Sequence, residues 1–297
     1  MKMNKLITTV VMCFSMMMFS ALTSFATENG NQASVNGPEG SMAGAIPPPG
    51  MYLLSYTNYF HSDRFNDSDG NSVVPGFEVT GTVETLRTVF VSKQKFLGGN
   101  LGVQAILPFV SLSVKNPLGS DTKSGMGDLC VGVFDSWHFK NWHFAFGPEV
   151  FLPIGDYDKN DIANIGSNYY TFEPVFAFTY LSDGGFEVSS KFMYNINTEN
   201  NDTNYKSGDE FHFDGFVGQH FKKITTGFNG YAYKQITDDK LNGDKYLDGN
   251  KGQVVGVGPE IAFNYHQIGF HFKLHKEFAV ENKAVTDKLW FRMNFSF

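Results

Sequence analysis

Between His271 and Glu277 a polar or charged side chain recurs at every second position: His271, Lys273, His275 and Glu277. A spacing of two puts all four on one face of a β-strand. Glu260 comes near His271 and Lys273 across the short connection 265–267. Two imidazoles could ligate a metal, but at i and i+4 on a strand they stand ~13 Å apart, too far to share one ion. The chemistry this ladder suits is ion pairing along the wall of a conduit, or pairing that merely holds the wall together. Asp128, His143, Glu149, Glu173, Glu187, Lys191, His212, Asp214 and Arg292 occupy equivalent positions elsewhere and complete a candidate pore lining. No metal and no cofactor are expected. Asp69-Gly70-Asn71 and Asp248-Gly249-Asn250 resemble pieces of calcium loops but lack the full acidic run with a distal glutamate, so they read as turns. Cys130, placed inward near Glu149, reads as a small packing residue.

Nucleophilic catalysis in a membrane barrel needs a serine beside a histidine base on the lipid-facing surface. His143, His212, His271 and His275 all fall on the opposite face, and no outward histidine and serine pair occurs. A lipid hydrolase is therefore the weakest alternative, and no catalytic residue is expected.

The element that positions these side chains is clearest at the end of the chain. In Lys288–Phe297, alternate positions give Leu289, Phe291, Met293, Phe295 and Phe297 against Trp290, Arg292, Asn294 and Ser296. A greasy face opposed to a face carrying an arginine and an amide suits a strand with lipid outside and a polar lumen inside. Phe297 resembles the terminal signal that outer-membrane barrels present to the barrel assembly machinery. The same alternation pits Trp142, Phe144 and Phe146 against His143, Ala145 and Gly147, and Phe186 and Val188 against Glu187 and Ser189. A water-soluble barrel would put the rings inside and the charges outside.

Twelve strands are expected near 51–60, 77–92, 100–112, 126–138, 142–152, 169–181, 186–197, 210–221, 224–235, 253–264, 268–278 and 288–297. Their connections alternate between long polar loops (61–76, 113–125, 153–168, 198–209, 236–252, 279–287) and short turns. The fold class is thus all-β, a transmembrane antiparallel barrel with the long loops extracellular. Glu84 and Arg87 cannot share one face without a slip, which predicts a β-bulge near Thr85 or Leu86. Pro148, Pro174 and Pro259 interrupt the ladders of their strands.

Composition agrees. The chain has 31 Phe and 13 Tyr with a mean hydropathy of only -0.21, as alternation produces. The formal charge of -7 and just three arginines (Arg64, Arg87, Arg292) leave no basic stripe for nucleic acid. Residues 1–26 read as a signal peptide: Lys2 and Lys5, a Met-rich apolar core containing Cys13, and the small-x-small site Ser24-Phe25-Ala26, so the mature chain begins near Thr27. Residues 27–50 are polar and Gly/Pro-rich and are expected to form a flexible periplasmic tail, the alternative being a plug that enters the barrel. Residues 51–297 form the barrel.

Several segments resemble the outer-membrane channels of the meta-pathway of phenol degradation family: Pro49-Gly50-Met51-Tyr52 with Tyr56 and Tyr59, Asn66-Asp67-Ser68-Asp69-Gly70-Asn71, Gly230-Tyr231-Ala232-Tyr233-Lys234-Gln235 followed by Thr237-Asp238-Asp239, Gly256-Val257-Gly258-Pro259-Glu260-Ile261, and the terminal Phe297. The resemblance runs over most of residues 48–297. It implies a twelve-stranded monomeric channel for small molecules, hydrophobic or aromatic ones among them, and it implies no catalysis. The expected partners are the lipid bilayer with lipopolysaccharide, the assembly machinery and a small-molecule permeant, in the outer membrane after export to the periplasm. An adhesin or purely structural barrel is the non-transport alternative. Small inward residues (Gly132, Ala145, Gly147, Ala177, Gly256, Gly258) are expected to leave a lumen, and the excess of inward glutamates over Lys191, Lys273 and Arg292 to make it narrow and weakly cation-selective.

Overall fold

The computed structural model describes residues 27–30 and 32–296. The expected signal peptide and Phe297 lie outside the described residues. After a short 3-10 turn at Glu28–Gly30 the chain forms β1 (Gly50–Ser62), β2 (Glu78–Phe96), β3 (Gly99–Asn116), β4 (Gly119–Met126), β5 (Leu129–His138), β6 (Trp142–Leu152), β7 (Thr171–Leu181), β8 (Phe186–Asn197), β9 (Tyr205–Lys206), β10 (Glu210–Phe221), β11 (Ile224–Gln235), β12 (Lys240–Leu241), β13 (Asp244–Lys245), β14 (Gln253–Tyr265), β15 (Ile268–Glu281) and β16 (Asp287–Ser296).

β4 and β5 are two halves of one stave. β3 pairs with β4 from Phe109 opposite Met126 and with β5 from Ile106 opposite Cys130, so the break at Gly127-Asp128 falls beside Pro108. With that stave counted once, twelve antiparallel staves close on themselves, β1 pairing with both β16 and β2, and β2 with β3. Closure leaves no unpaired edge, which is what lets strands sit in lipid. The three short strands β9, β12 and β13 make a small separate sheet in the long-loop end.

Burial follows the alternation. Phe146, Phe172, Phe176 and Leu289 are exposed on the outside, while Ala145, Glu173, Ala177 and Trp290 are buried inside. Outward rings form a belt from Trp142 through Phe144, Phe176 and Phe192 to Phe213, with ring centroids 5.6 to 6.3 Å apart. The belt has an upper limit written in β3. Its outward residues Val103 and Phe109 give way to Ser111 and Ser113, whose hydroxyls accept from Ser124 (2.9 Å) and Thr122 (3.1 Å) of β4. On the inner side of this same stretch Leu112 and Val114 pack with Phe65, Phe77 and Val79. The polarity of the two faces inverts where lipid would end.

Three expectations change here. The supposed loop 113–125 is a hairpin, because β3 and β4 stay paired from Phe109 opposite Met126 to Asn116 opposite Gly119. No register shift occurs at Thr85 or Leu86; the one in β2 lies between Val91 and Lys95. Glu84 instead keeps its outward phase and accepts hydrogen bonds from Ser55 and Thr57 on β1, while Arg87 points inward. The third is the tail: residues 27–50, expected to trail as a flexible periplasmic segment, are instead held within the barrel at Thr27, Gly37 and Gly44 by Asp239, Asp214 and Thr179. Pro148 and Pro174 face each other across β6 and β7, so their missing donors fall at one rung.

Candidate functional site

Of the expected lining residues, Glu149, Glu173, Glu187, Lys191, His212, Asp214, Glu260, His271, Lys273, His275, Glu277 and Arg292 are all buried on the inner face. Two lie elsewhere. Asp128 sits in the break between β4 and β5, where its carboxylate accepts the N–H groups of Gly155 (2.9 Å) and Ser167 (2.8 Å) and pins the connection 153–170. His143 is at the short-turn end, its Nδ1 2.9 Å from Nδ1 of His138. Alternation could not place Asp128, because the strand is interrupted at that residue. The strand of His143 keeps its phase, but the residue is only one place from the turn.

The buried set converges on the N-terminal segment. Asp214 of β10 accepts the N–H groups of Gly37 (2.9 Å) and Glu39 (3.0 Å). Lys273 of β15 donates to the carbonyls of Gly37, Pro38 and Glu39 at 3.2, 2.6 and 2.8 Å, and Asn229 of β11 donates to the Glu39 carbonyl at 2.8 Å. An irregular backbone inside a barrel must have its polar groups satisfied by side chains, and here the wall supplies them. The Glu39 carboxylate accepts from Arg87 of β2, from Tyr56 of β1 at 3.4 Å and from Arg292 of β16 at 3.5 Å. Nearer the short-turn end, Glu187 accepts from Ser41 Oγ (3.0 Å) and from the N–H of Met42, and Thr179 accepts the N–H of Gly44 at 3.0 Å. Gly44 lies so close to β7 that a β-carbon there would run into the main chain of Phe178.

Behind these contacts the wall is wired to itself. Arg87 also donates to Gln104, which donates to Glu149, and Lys191 pairs with Glu149 at 3.6 Å. Cys130 is buried, and its thiol donates to the Glu149 carboxylate at 3.5 Å. Glu260 lies 3.0 Å from His271, His275 Nε2 is 2.7 Å from Asn229 Oδ1, and Glu173 faces His212 at 3.5 Å. His271 and His275 therefore serve different partners. Glu277 takes Tyr231 OH at 2.6 Å and Lys288 at 3.1 Å.

At the long-loop end the segment starts. Thr27 N–H donates to Asp239 and Glu28 N–H to Ser207, while the Glu28 carboxylate accepts from Asn200 (2.8 Å) and Tyr157 (3.3 Å). Burial pushes the Glu28 carboxyl above the usual range, and burial beside Glu28 pushes the Tyr157 phenol up to about 12.

The residues that sequence reading missed are Glu39, Arg87, Tyr56, Gln104, Thr179 and Asn229. One signal was present: residues 27–50 contain no lysine or arginine and two glutamates, Glu28 and Glu39, and both prove to be anchors. Two cavities flank the grip around Gly37 to Glu39. One of about 380 Å³ lies at the short-turn end, between Ala45, Ile46 and Pro47 and strands β1, β2 and β16. The other, about 670 Å³, lies at the long-loop end, with Phe60, Phe65, Phe77, Leu112 and Val114 on one wall and Asn58, Glu277, Lys283 and Lys288 on another. On the outer surface, Ser55 and Thr57 engage the Glu84 carboxylate, and no histidine accepts from them among the described residues.

The fold is shared with an outer-membrane channel from Pseudomonas putida F1, at a TM-score of 0.79 and 17% identity over 87% of this chain and 99% of that one. The translocator domain of the autotransporter NalP from Neisseria meningitidis matches at a TM-score of 0.48 and 10% identity, covering 84% of this chain and 90% of that one. No curated protein matches the sequence. A family model, described as putative MetA-pathway of phenol degradation, matches residues 62–293, from the end of β1 into β16. The chain belongs to that family.

Proposed function

We propose that this protein is a non-enzymatic outer-membrane channel for small molecules, held shut at rest by its own N-terminal segment. The observation that carries the reading is the clamp on Gly37, Pro38 and Glu39 by Asp214, Lys273, Arg87 and Arg292, placed between two cavities that open toward opposite ends. An aromatic and aliphatic outer belt around a polar interior supports a bilayer setting. Export by the leader, assembly through Phe297 and a monomeric barrel complete the proposal. The apolar wall of the larger cavity favours permeants with an apolar body, and its facing lysines a polar or acidic end.

The test compares two purified barrels in a planar bilayer, the mature chain and a form lacking residues 27–49. The mature chain should be nearly silent and the shortened one should conduct in small steps. Silence from both, with heat-modifiable bands that show folded barrels, would remove the channel reading and favour a structural or adhesive barrel.

A further inference from the structure

Asp239, in the connection between β11 and β12, is fully buried, and its carboxylate is caged by uncharged donors. Tyr205 OH (2.6 Å) and Asn250 Nδ2 (3.0 Å) reach Oδ2; Gly208 N (2.7 Å) and Gln235 Nε2 (2.7 Å) reach Oδ1. Among the described residues it makes no ion pair with a lysine or arginine side chain. A buried carboxylate in a neutral cage carries a large desolvation penalty that hydrogen bonds alone offset poorly. Burial accordingly pushes its carboxyl above the usual range. A fifth donor completes the cage: the main-chain nitrogen of Thr27, 3.2 Å from Oδ2, on a residue only 1% exposed.

Thr27 is the first residue after the small-x-small site Ser24-Phe25-Ala26. Cleavage there would turn this nitrogen from a neutral amide into an ammonium, and a positive charge would arrive directly on a buried carboxylate that has no lysine or arginine partner among the described residues. We propose that the Asp239 cage is a binding site for the α-ammonium group of the processed chain, so that removal of the leader is what completes the docking of the N-terminal segment. The path of the chain supports this. Thr27 lies at the long-loop end and Gly50 at the other, so the segment must pass lengthwise through the lumen, which a free terminus can do and a chain still tethered at the inner membrane cannot. Glu28 extends the site, its N–H held by Ser207 and its carboxylate by Asn200. The inference rests on the segment occupying the lumen, and not on what the barrel conducts.

Folded barrel extracted from membranes should give an amino-terminal sequence beginning Thr-Glu. Limited acetylation at near-neutral pH, followed by mass spectrometry of the terminal peptide, should modify the Thr27 amine about tenfold more slowly in wild type than in Asp239→Asn, a shift equivalent to roughly 1.4 kcal/mol of protection. The exposed Lys140 and Lys276 should react alike in both. If Asp239→Asn does not fold, a chain with two alanines inserted before Thr27 keeps Asp239 and should expose its amine fully. A Ser41→Cys variant separates the two readings: maleimide protection of the introduced thiol reports the seated segment whatever the amine does. A protected thiol with a freely reactive amine overturns amine capture alone, and a mature terminus at another residue overturns it as well. A reactive thiol would overturn the seated segment itself.

Discussion

Replacing Glu39 with glutamine keeps the shape of the side chain and removes the charge that Arg87 and Arg292 share. Breaking one partner of a buried ion pair typically costs ~3–5 kcal/mol, because the remaining charge is left uncompensated. The lower end applies, since water can reach the lumen from the adjoining cavity and solvate the two guanidinium groups once the segment moves. A loss of about 3 kcal/mol of docking free energy, at 1.4 kcal/mol per decade, raises the ratio of open to closed channels by roughly a hundredfold. Single-channel recording reads this directly as open probability, with the unitary conductance unchanged because the wall is unchanged. A parallel cold gel shows whether the barrel is folded. Unaltered open probability in a folded Glu39→Gln barrel would mean that the carboxylate does not hold the segment, and the grip would have to reside in the contacts to its main chain and to Ser41 from Asp214, Lys273, Asn229, Glu187 and Thr179.

A valine at Gly44 must displace the main chain of the segment away from Phe178, and overpacking of ~1–3 kcal/mol should raise the ratio of open to closed channels by roughly five- to a hundredfold without altering the barrel's heat-modifiable band. A protease site inserted at Asn242-Gly243 should be cut on intact cells, whereas one at Asp183-Gly184 should be protected; the opposite pattern would invert the barrel. Selectivity should also depend on the segment. Arg87, Lys191, Lys273 and Arg292 all bear on Glu39, and the nearby wall acids contacting them or the segment are Glu149, Glu187, Asp214 and Glu260, so a barrel lacking residues 27–49, with four cations facing four acids, should be nearly unselective at its waist. A reversal potential on the cation side would restore the expectation drawn from the glutamate excess.

The staves and their inward charges were legible because alternation is a local property. Glu149, Glu173, Lys273 and Arg292 each have neighbours of fixed phase, so their faces follow from position alone. The reading failed where phase is broken, as at Asp128 in a two-residue interruption, and where an acid keeps its phase on the outer face, as Glu84 does because Ser55 and Thr57 satisfy its carboxylate. The hairpin of β3 and β4 was missed because its outer face carries serines and threonine in place of rings, which resembles a loop when only lipid-facing hydrophobicity is counted. The N-terminal segment was illegible for a different reason. Much of its backbone is held by side chains 135 to 236 residues away in sequence, such as Thr179 and Lys273, and a Gly/Pro-rich stretch has the same composition whether water or a barrel wall satisfies it.

Glycine shows the same limit from the other direction. Gly256 was expected, with other small inward residues, to leave open space, yet a β-carbon there would strike the ring of Tyr231, just as one at Gly102 would strike Phe134 and one at Gly218 would strike Phe216. Each glycine is the seat of an aromatic ring from a nearby inward position, which lies flat over it and restores the packing that the missing side chain would have supplied. Vacancy at one position is therefore occupancy from the next. Tyr231 is held against the wall by its hydrogen bond to Glu277 at 2.6 Å. Because a β-carbon at Gly37 would meet His275 and Tyr231 as well, the ring that fills the glycine of the wall also shapes the bed of the segment. The packing of the wall at Gly256 and the fit of the segment at Gly37 thus depend on the same ring, and removing it by Tyr231→Ala should loosen the segment as well as the wall.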